Sequence, residues 1–362
     1  MRLLTSIPSA LFLWTLMGLP MCAQMVPSPD APPSSNAPAP PDEETPVDTL
    51  KIDINLVSLF FTVKDKQGFL LPHLTQSDCK IAEDNQPQSF KSFAAQPDLP
   101  LTIGMLLDTS GSQRRVLELE QDAGSQFLFE IMRSKDQGFL LSFDSDVNLL
   151  EDLTSSPRQL SRALHRAEIS IAGGGGASGI PGLGGGTIPV HGSPRGTLLY
   201  DAVYLAATQK LNQETGRKVI LLLTDGQDQG SKTKLKEAIA EAQRSNLIVY
   251  VILIADTRSY FDQGEGYFGY SPMKKLAEET GGRLIDVGNN GKKLAAAFSQ
   301  IEEELRTQYL ASYIPSNAKK DGSFRHIELT CQPDGLKVMV RKGYYAASDD
   351  QTSDSPHSPQ KK

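Results

Sequence analysis

Two uninterrupted apolar runs, each closed by an aspartate, constrain this chain more than any other feature. Leu101-Thr102-Ile103-Gly104-Met105-Leu106-Leu107 leads into Asp108-Thr109-Ser110-Gly111-Ser112, and Val219-Ile220-Leu221-Leu222-Leu223 leads into Thr224-Asp225-Gly226. A strand with one wet face alternates apolar and polar residues. A continuous run instead marks a strand covered on both faces, the habit of parallel sheets. The turn after such a strand lies where open α/β sheets place their ligands, near the point of strand-order reversal. Asp108, Ser110 and Ser112 follow at i, i+2 and i+4, so three short oxygen-bearing side chains converge from one loop, with Gly111 permitting the curvature. One carboxylate and two hydroxyls make a hard donor set, suited to Mg²⁺ or Ca²⁺ and poor for zinc or copper. On this reading Asp108 sits on a surface loop and can be replaced without consequence for folding.

The surrounding sequence supplies the rest of an α/β layer structure. Val116, Leu119, Ala123, Phe127 and Ile131 recur at helical spacing over about residues 114–133 and predict a core-facing stripe. Strands are expected at Gly138–Phe143, Val147–Leu150, Lys218–Leu223, Leu247–Ile254 and Arg283–Val287. Helices are expected at Pro157–Glu168, Leu198–Asn212, Lys232–Ser245, Pro272–Thr280 and Lys292–Arg306. Two long loops interrupt the pattern. Residues 173–196 are glycine-rich, but their spacing fits neither a P-loop nor a dinucleotide fingerprint. That loop delivers Thr197, which stands at the mouth of a helix with Asp201 about a turn further on, and it carries His191 and Arg195. The second loop, Asp256 to Tyr270, holds Tyr260, Phe261, Tyr267, Phe268 and Tyr270, aromatic residues that suit either recognition or packing.

Strand-like alternation flanks this region on both sides. Ile52–Val63, Cys79–Glu83 and Ser89–Phe93 precede it; Gln308–Ile314, Phe324–Cys331 and Leu336–Arg341 follow it, the last two joined by the turn Gln332-Pro333-Asp334-Gly335. Either group alone is too thin to stand. The expected fold is therefore a doubly wound, mostly parallel α/β sheet flanked by helices and inserted in a small antiparallel β-sandwich built from N- and C-terminal segments. Its parts are residues 50–98 and 306–346 for the two halves of the sandwich and 100–304 for the α/β domain. Alternation turns Cys79 and Cys331 inward, one on each half, where they form either a disulfide or two buried thiols.

The N-terminus reads as an export signal over residues 1–23: Arg2, a short apolar core from Leu11 to Leu19, and a cleavage site after Ala23. Cleavage there removes Cys22 and leaves an even pair of cysteines in an oxidising compartment. A lipid anchor through Cys22 is the alternative, with Pro20 and Met21 standing where small residues are wanted. Residues 24–49 are rich in Pro, Ser and Ala and predict a disordered spacer; residues 347–362 predict a polar tail. No other segment is apolar enough to span a membrane. The formal net charge of −7 argues against a nucleic-acid partner.

Asp108, Ser110, Ser112, Thr197 and Asp225 together resemble the metal-ion-dependent adhesion site of the von Willebrand factor A domain: Asp-x-Ser-x-Ser, a distant Thr, then a distant Asp. The resemblance runs from about Pro100 to Glu304. It implies that Ser110, Ser112 and at times Thr197 touch a Mg²⁺ ion (or Mn²⁺ or Ca²⁺), with Asp108 and Asp225 acting largely through water. The stretches Val63–Gly68 and Leu336–Tyr345 further resemble an exported bacterial group of von Willebrand A-related proteins known from acidobacteria, which implies no activity; Cys79 stands there in place of a large apolar residue. The expected function is an exported, periplasmic or extracellular, protein-binding module whose cation accepts an Asp or Glu carboxylate from a partner. Two alternatives remain: a scaffold subunit whose metal stabilises its own loops, and a metal-assisted hydrolase. The five histidines, His73, His165, His191, His326 and His357, show no spacing that suggests a catalytic relay, and no enzyme is expected.

Overall fold

The computed structural model describes residues 56–95, 98–169, 196–255 and 267–348, all within the compact unit Asp53–Lys362. The export signal, the spacer, residues 170–195 of the glycine-rich region with His191 and Arg195, residues 256–266 with Tyr260 and Phe261, and the tail from residue 349 lie outside the described residues. Four strands open the described chain: β1 (Val57–Lys64), β2 (Cys79–Glu83), β3 (Gln86–Gln88) and β4 (Phe90–Ala95). The α/β domain follows, with β5 (Leu101–Asp108), α1 (Leu117–Ile131), β6 (Gln137–Phe143), β7 (Val147–Thr154), α2 (Pro157–Leu164) and α3 (Leu199–Leu205). It continues through β8 (Arg217–Thr224), α4 (Leu235–Arg244), β9 (Leu247–Leu253), α5 (Tyr270–Glu279), β10 (Leu284–Asp286) and α6 (Gly291–Arg306). Strands β11 (Tyr309–Tyr313), β12 (Phe324–Cys331), β13 (Lys337–Met339) and β14 (Gly343–Tyr345) close it.

The central sheet has the order β10-β9-β8-β5-β6-β7, parallel throughout except for β7 on β6. The chain steps from β5 to β6 on one side, then crosses to β8 on the other, so strand order reverses at β5. Every residue of β5, β8 and β9 is buried, as the uninterrupted runs require. One core joins Ile103, Met105 and Leu107 to α1, α2 and α6; a second joins Leu106, Ile220 and Leu222 to α3, α4 and α5. Local signals set the helix starts. Ser156 accepts a hydrogen bond from Gln159 N before Pro157, and the Asn290 side chain accepts one from Lys293 N.

Two expectations inside this domain are corrected. The helix expected from about residue 114 is preceded by a 3₁₀ turn over Gly111–Arg115 and becomes α-helical at Leu117; of the expected stripe, Val116, Phe127 and Ile131 are buried and Ala123 packs against the core. Its buried face runs through Leu117, Glu120, Gly124, Phe127, Leu128 and Ile131, and Leu119 is 43% exposed. The edge strand expected at Val147–Leu150 extends to Thr154 by pairing along β6.

The terminal strands form two four-stranded sheets, β13-β1-β11-β4 and β14-β12-β2-β3, each mixing strands from both ends of the chain. Leu59, Phe61, Val63, Ile81, Tyr309, Tyr313, Ile327 and Leu329 fill the space between them. Within it the buried Glu83 accepts hydrogen bonds from the hydroxyls of Tyr313 (2.6 Å) and Tyr344 (3.0 Å). Cys331 pairs directly with Cys79 across β12 and β2, with Cα atoms 4.0 Å apart, and the two form a disulfide. Strand β1 is covered on both faces: Leu59 and Phe61 face the sandwich while Phe60 joins the core beneath α1 and α6. An ion cluster marks the same junction. The buried Glu304 of α6 accepts from Lys64 Nζ at 2.8 Å and Arg283 Nε at 2.7 Å.

Two measurements follow from this junction. Replacing both Cys79 and Cys331 with Ser frees a loop spanning 252 residues, so the urea stability should fall by about 3–5 kcal/mol relative to the oxidised protein. Glu304→Gln leaves two cations facing a neutral amide; we expect a loss of about 3 kcal/mol in the same experiment.

Candidate metal centre

The site grows from the adjacency of β5 and β8. These strands pair in parallel register, with Leu107 beside Leu223. Their C-terminal ends therefore carry Asp108 and Thr224-Asp225 to one edge of the sheet. Asp108 is the last residue of β5 and fully buried, which corrects its expected surface position. Its carboxylate is held on both oxygens: Oδ1 accepts from Ser110 N at 3.0 Å and Oδ2 from Thr224 Oγ1 at 2.6 Å. The Ser110–Asp108 bond turns the chain sharply, so that Ser110 Oγ and the exposed Ser112 Oγ meet at 3.0 Å. The hydroxyl pair thus forms the outer side of the site and the carboxylate its floor.

Asp225 is also buried, and its Oδ1 accepts from Gln227 N at 3.0 Å. Gly226, at φ +81°, gives the chain its turn there in a conformation that other residues adopt only with strain. The described end of the second long loop, with aromatics expected to serve either recognition or packing, lies against this turn. Gly269 comes so near that a Cβ on it would stand 2.5 Å from Asp225 O, and Tyr267 Oη donates to that same carbonyl at 2.8 Å. This apposition leaves Phe268 77% exposed and Tyr270 43% exposed beside Asp225.

Thr197 reaches the same edge through backbone bonds. Its N–H and carbonyl pair with Gln229 at 2.8 and 3.0 Å, and Leu198 N donates to Asp144 O at 2.8 Å. Asp144 in turn accepts from Thr109 Oγ1 at 2.9 Å, which ties Thr197 to the residue after Asp108. Asp201 has a structural part: its two carboxylate oxygens accept from Lys232 N and Thr233 N, fixing the loop before α4. All five expected residues therefore lie at one end of the β5–β8 pair. Thr109, Thr224, Asp144, Gln229 and Tyr267 hold them there; of these, sequence reading singled out only Tyr267, and without its partner, because the partners are set by tertiary neighbours rather than by spacing.

The electrostatics of this edge are one-sided. Burial, and then the charge of Asp225, push the Asp108 carboxyl up to about 7, against the hydrogen bonds from Ser110 and Thr224 that favour its ionised form. Behind it, Glu120 of α1 is 0% exposed, and neither of its carboxylate oxygens has a hydrogen-bond partner. Burial pushes that carboxyl well above the usual range, with Asp108 and Asp225 adding to the effect. Among the described residues no three His, Cys, Asp or Glu side chains converge to hold a metal by themselves. A cation here would need the serine hydroxyls. Buried negative charge on the floor and neutral oxygens on the outer side fit a hard divalent ion that keeps part of its water.

No protein-family model and no curated protein matches the sequence. Several solved structures are similar to it at low identity. Proximal thread matrix protein 1 from the mussel byssus, described with a zinc-occupied MIDAS motif, is 15% identical over 59% of this chain and 47% of its own, with a TM-score of 0.44. BatB from Bacteroides thetaiotaomicron is 18% identical over 57% of this chain and all of its own, with a TM-score of 0.42. The vWF domain of the type V pili tip protein Mfa5 from Porphyromonas gingivalis is 12% identical over 57% of this chain and 94% of its own, with a TM-score of 0.38. The chain spans about half of the mussel protein. The fold class rests on the strand order and connectivity described above.

The raised Asp108 carboxyl has a signed consequence. Between its ordinary value of 3.8 and about 7, the metal-free folded chain keeps a proton that the unfolded chain has released. Stability from this group is thus greatest at low pH and falls as pH rises through that window. The melting temperature of EDTA-treated wild type, relative to Asp108→Asn, should decline from pH 4.5 to 7.5 and level off above it.

Proposed function

We propose that this chain is an exported, metal-dependent protein-binding module. Asp108, Ser110, Ser112, Thr197 and Asp225 hold a divalent cation, Mg²⁺ or alternatively Mn²⁺ or Ca²⁺. The observation that carries the reading is the gathering of these five residues, from three distant parts of the sequence, at the strand-order reversal. Bound there, the cation supplies an open coordination position for an Asp or Glu carboxylate of a protein partner. Ser110 and Ser112 supply neutral oxygens on the open side, leaving the cation's charge incompletely offset toward solvent. Asp108 and Asp225 hold charge beneath it, and Thr224 keeps Asp108 oriented. Phe268 and Tyr270 stand beside this opening and supply apolar contact, so the preferred partner presents its acidic residue next to an apolar one.

The chain's own chemistry favours capture over turnover in this reading. The hydroxyls of Ser110 and Ser112 bond to each other, and Ser110 also bonds to the Asp108 carboxylate, which serves here to hold the loop. Export rests on the N-terminal sequence alone. Among the described residues no helix is long and apolar enough to cross a membrane.

Calorimetric titration of Mn²⁺ into the metal-stripped full chain tests the cation site. We expect saturable binding in wild type and none in the double variant Ser110→Ala, Ser112→Ala, which spares the buried Asp108. Water-proton relaxation of the Mn²⁺-loaded protein then tests the open position: added acetate should lower the enhancement by displacing bound water. A bound Mn²⁺ with no exchangeable water would instead indicate a closed, loop-stabilising metal and overturn the partner-capture reading.

A further inference from the structure

Among the described residues, Glu120 is a buried acidic group near the site that has no hydrogen bond on either oxygen and no part in the proposed function. It lies in the first turn of α1, on the face turned to the sheet, among residues such as Leu117, Phe127 and Leu128 that form the apolar core. A leucine there would simply extend that core. A fully buried carboxyl with no hydrogen bond on either oxygen is costly unless something offsets it. The charges that act on it are those of Asp108 and Asp225, both of its own sign. Among the described residues no cation and no hydrogen-bond donor offsets it. Gln113, which follows Ser112 directly, points the same way. It is buried, its Oε1 has no hydrogen-bond partner, and its Nε2 reaches Ile254 O only at 3.5 Å. Two buried residues with unpaired acceptor oxygens, Gln113 and Glu120, thus follow the serine pair in sequence.

We infer that Glu120 is a buried counter-charge of the metal centre, a positioning residue that strengthens cation binding from behind Asp108 and Asp225. The inference rests on the metal-binding reading above. Glu120 is not itself a ligand, because no three acidic side chains among the described residues converge on one point. It acts through the field, and the attraction it adds scales with the charge of the ion, so it favours divalent over monovalent cations. A buried carboxyl that nothing offsets in the metal-free protein then faces a cation in the loaded protein. Its burial destabilises the first state and is offset in the second.

The test compares full-length wild type, Glu120→Gln and Glu120→Met at pH 8, using Mg²⁺ and Mn²⁺ alone as probes. In EDTA both variants should melt at or above the wild-type temperature, because each replaces a buried carboxyl that has no hydrogen-bond partner. Their dissociation constants for Mg²⁺ should rise about tenfold or more, as loss of a charge behind the ligands implies, and the Mg²⁺-induced rise in melting temperature should shrink. A purely structural role would not move the affinity of a folded variant. Wild-type affinity in either folded variant overturns the inference and leaves the metal-binding reading intact. Failure of both variants to fold in EDTA also overturns it, since Glu120 would then serve the metal-free fold. Absence of binding in wild type itself removes the metal-binding reading and this inference together.

Discussion

The parallel pairing of β5 with β8 brings two carboxylates to the same edge of a sheet whose faces are both dry. Everything at the candidate centre answers to that constraint. Water cannot solvate Asp108 there, so the fold gives it a hydroxyl from the neighbouring strand and an amide from its own turn. These bonds favour the ionised form and are outweighed by burial and the like charge nearby. The loops around the edge are correspondingly over-determined. Thr197 is pinned by a two-bond backbone bridge, and Asp225 is enclosed by a glycine-to-glycine approach that no larger residue permits.

The scaffold beneath this edge is rigid for a different reason. Strand β1 is shared, with its alternate residues committed to separate cores. Glu304 adds a charged tie between the final helix, the start of β10 and the end of β1. Arg341 reinforces the contact from the other side by donating to Gln243 O and Ser58 O. Inserted domain and sandwich therefore share buried side chains instead of meeting at a wet, separable interface.

The strands that build the site were legible because burial on both faces writes an unbroken apolar run, and the sandwich was legible because burial on one face writes alternation. Phe324–Cys331 shows the second rule in full, with exposed and buried residues in strict succession. Burial of Cys79 and Cys331 followed from the same alternation; their pairing needed the register of β2 against β12. Most of the α1 stripe was legible from its helical spacing, but Leu119 faces solvent and Glu120 takes a buried position that an apolar pattern does not mark. Asp108 was taken for a loop residue for a related reason: an aspartate before a Ser-Gly turn gives no local sign that a neighbouring strand will cover it.

The shared sandwich has a consequence for how the chain comes together. Of the first four strands, only β2 and β3 pair with each other; β1 pairs with β11 and β13, and β4 with β11. The N-terminal strands thus wait, with most of their backbone groups unpaired, until the last of the sequence has been made. The inserted domain holds its own sheet and both its cores, and its folding brings the two ends of the chain into reach of each other. Long-range pairing of this kind is slow because loop closure comes before any contact rewards it. The disulfide joins the two halves across the β2–β12 pair, and so fastens strands that are separated in sequence by the whole inserted domain.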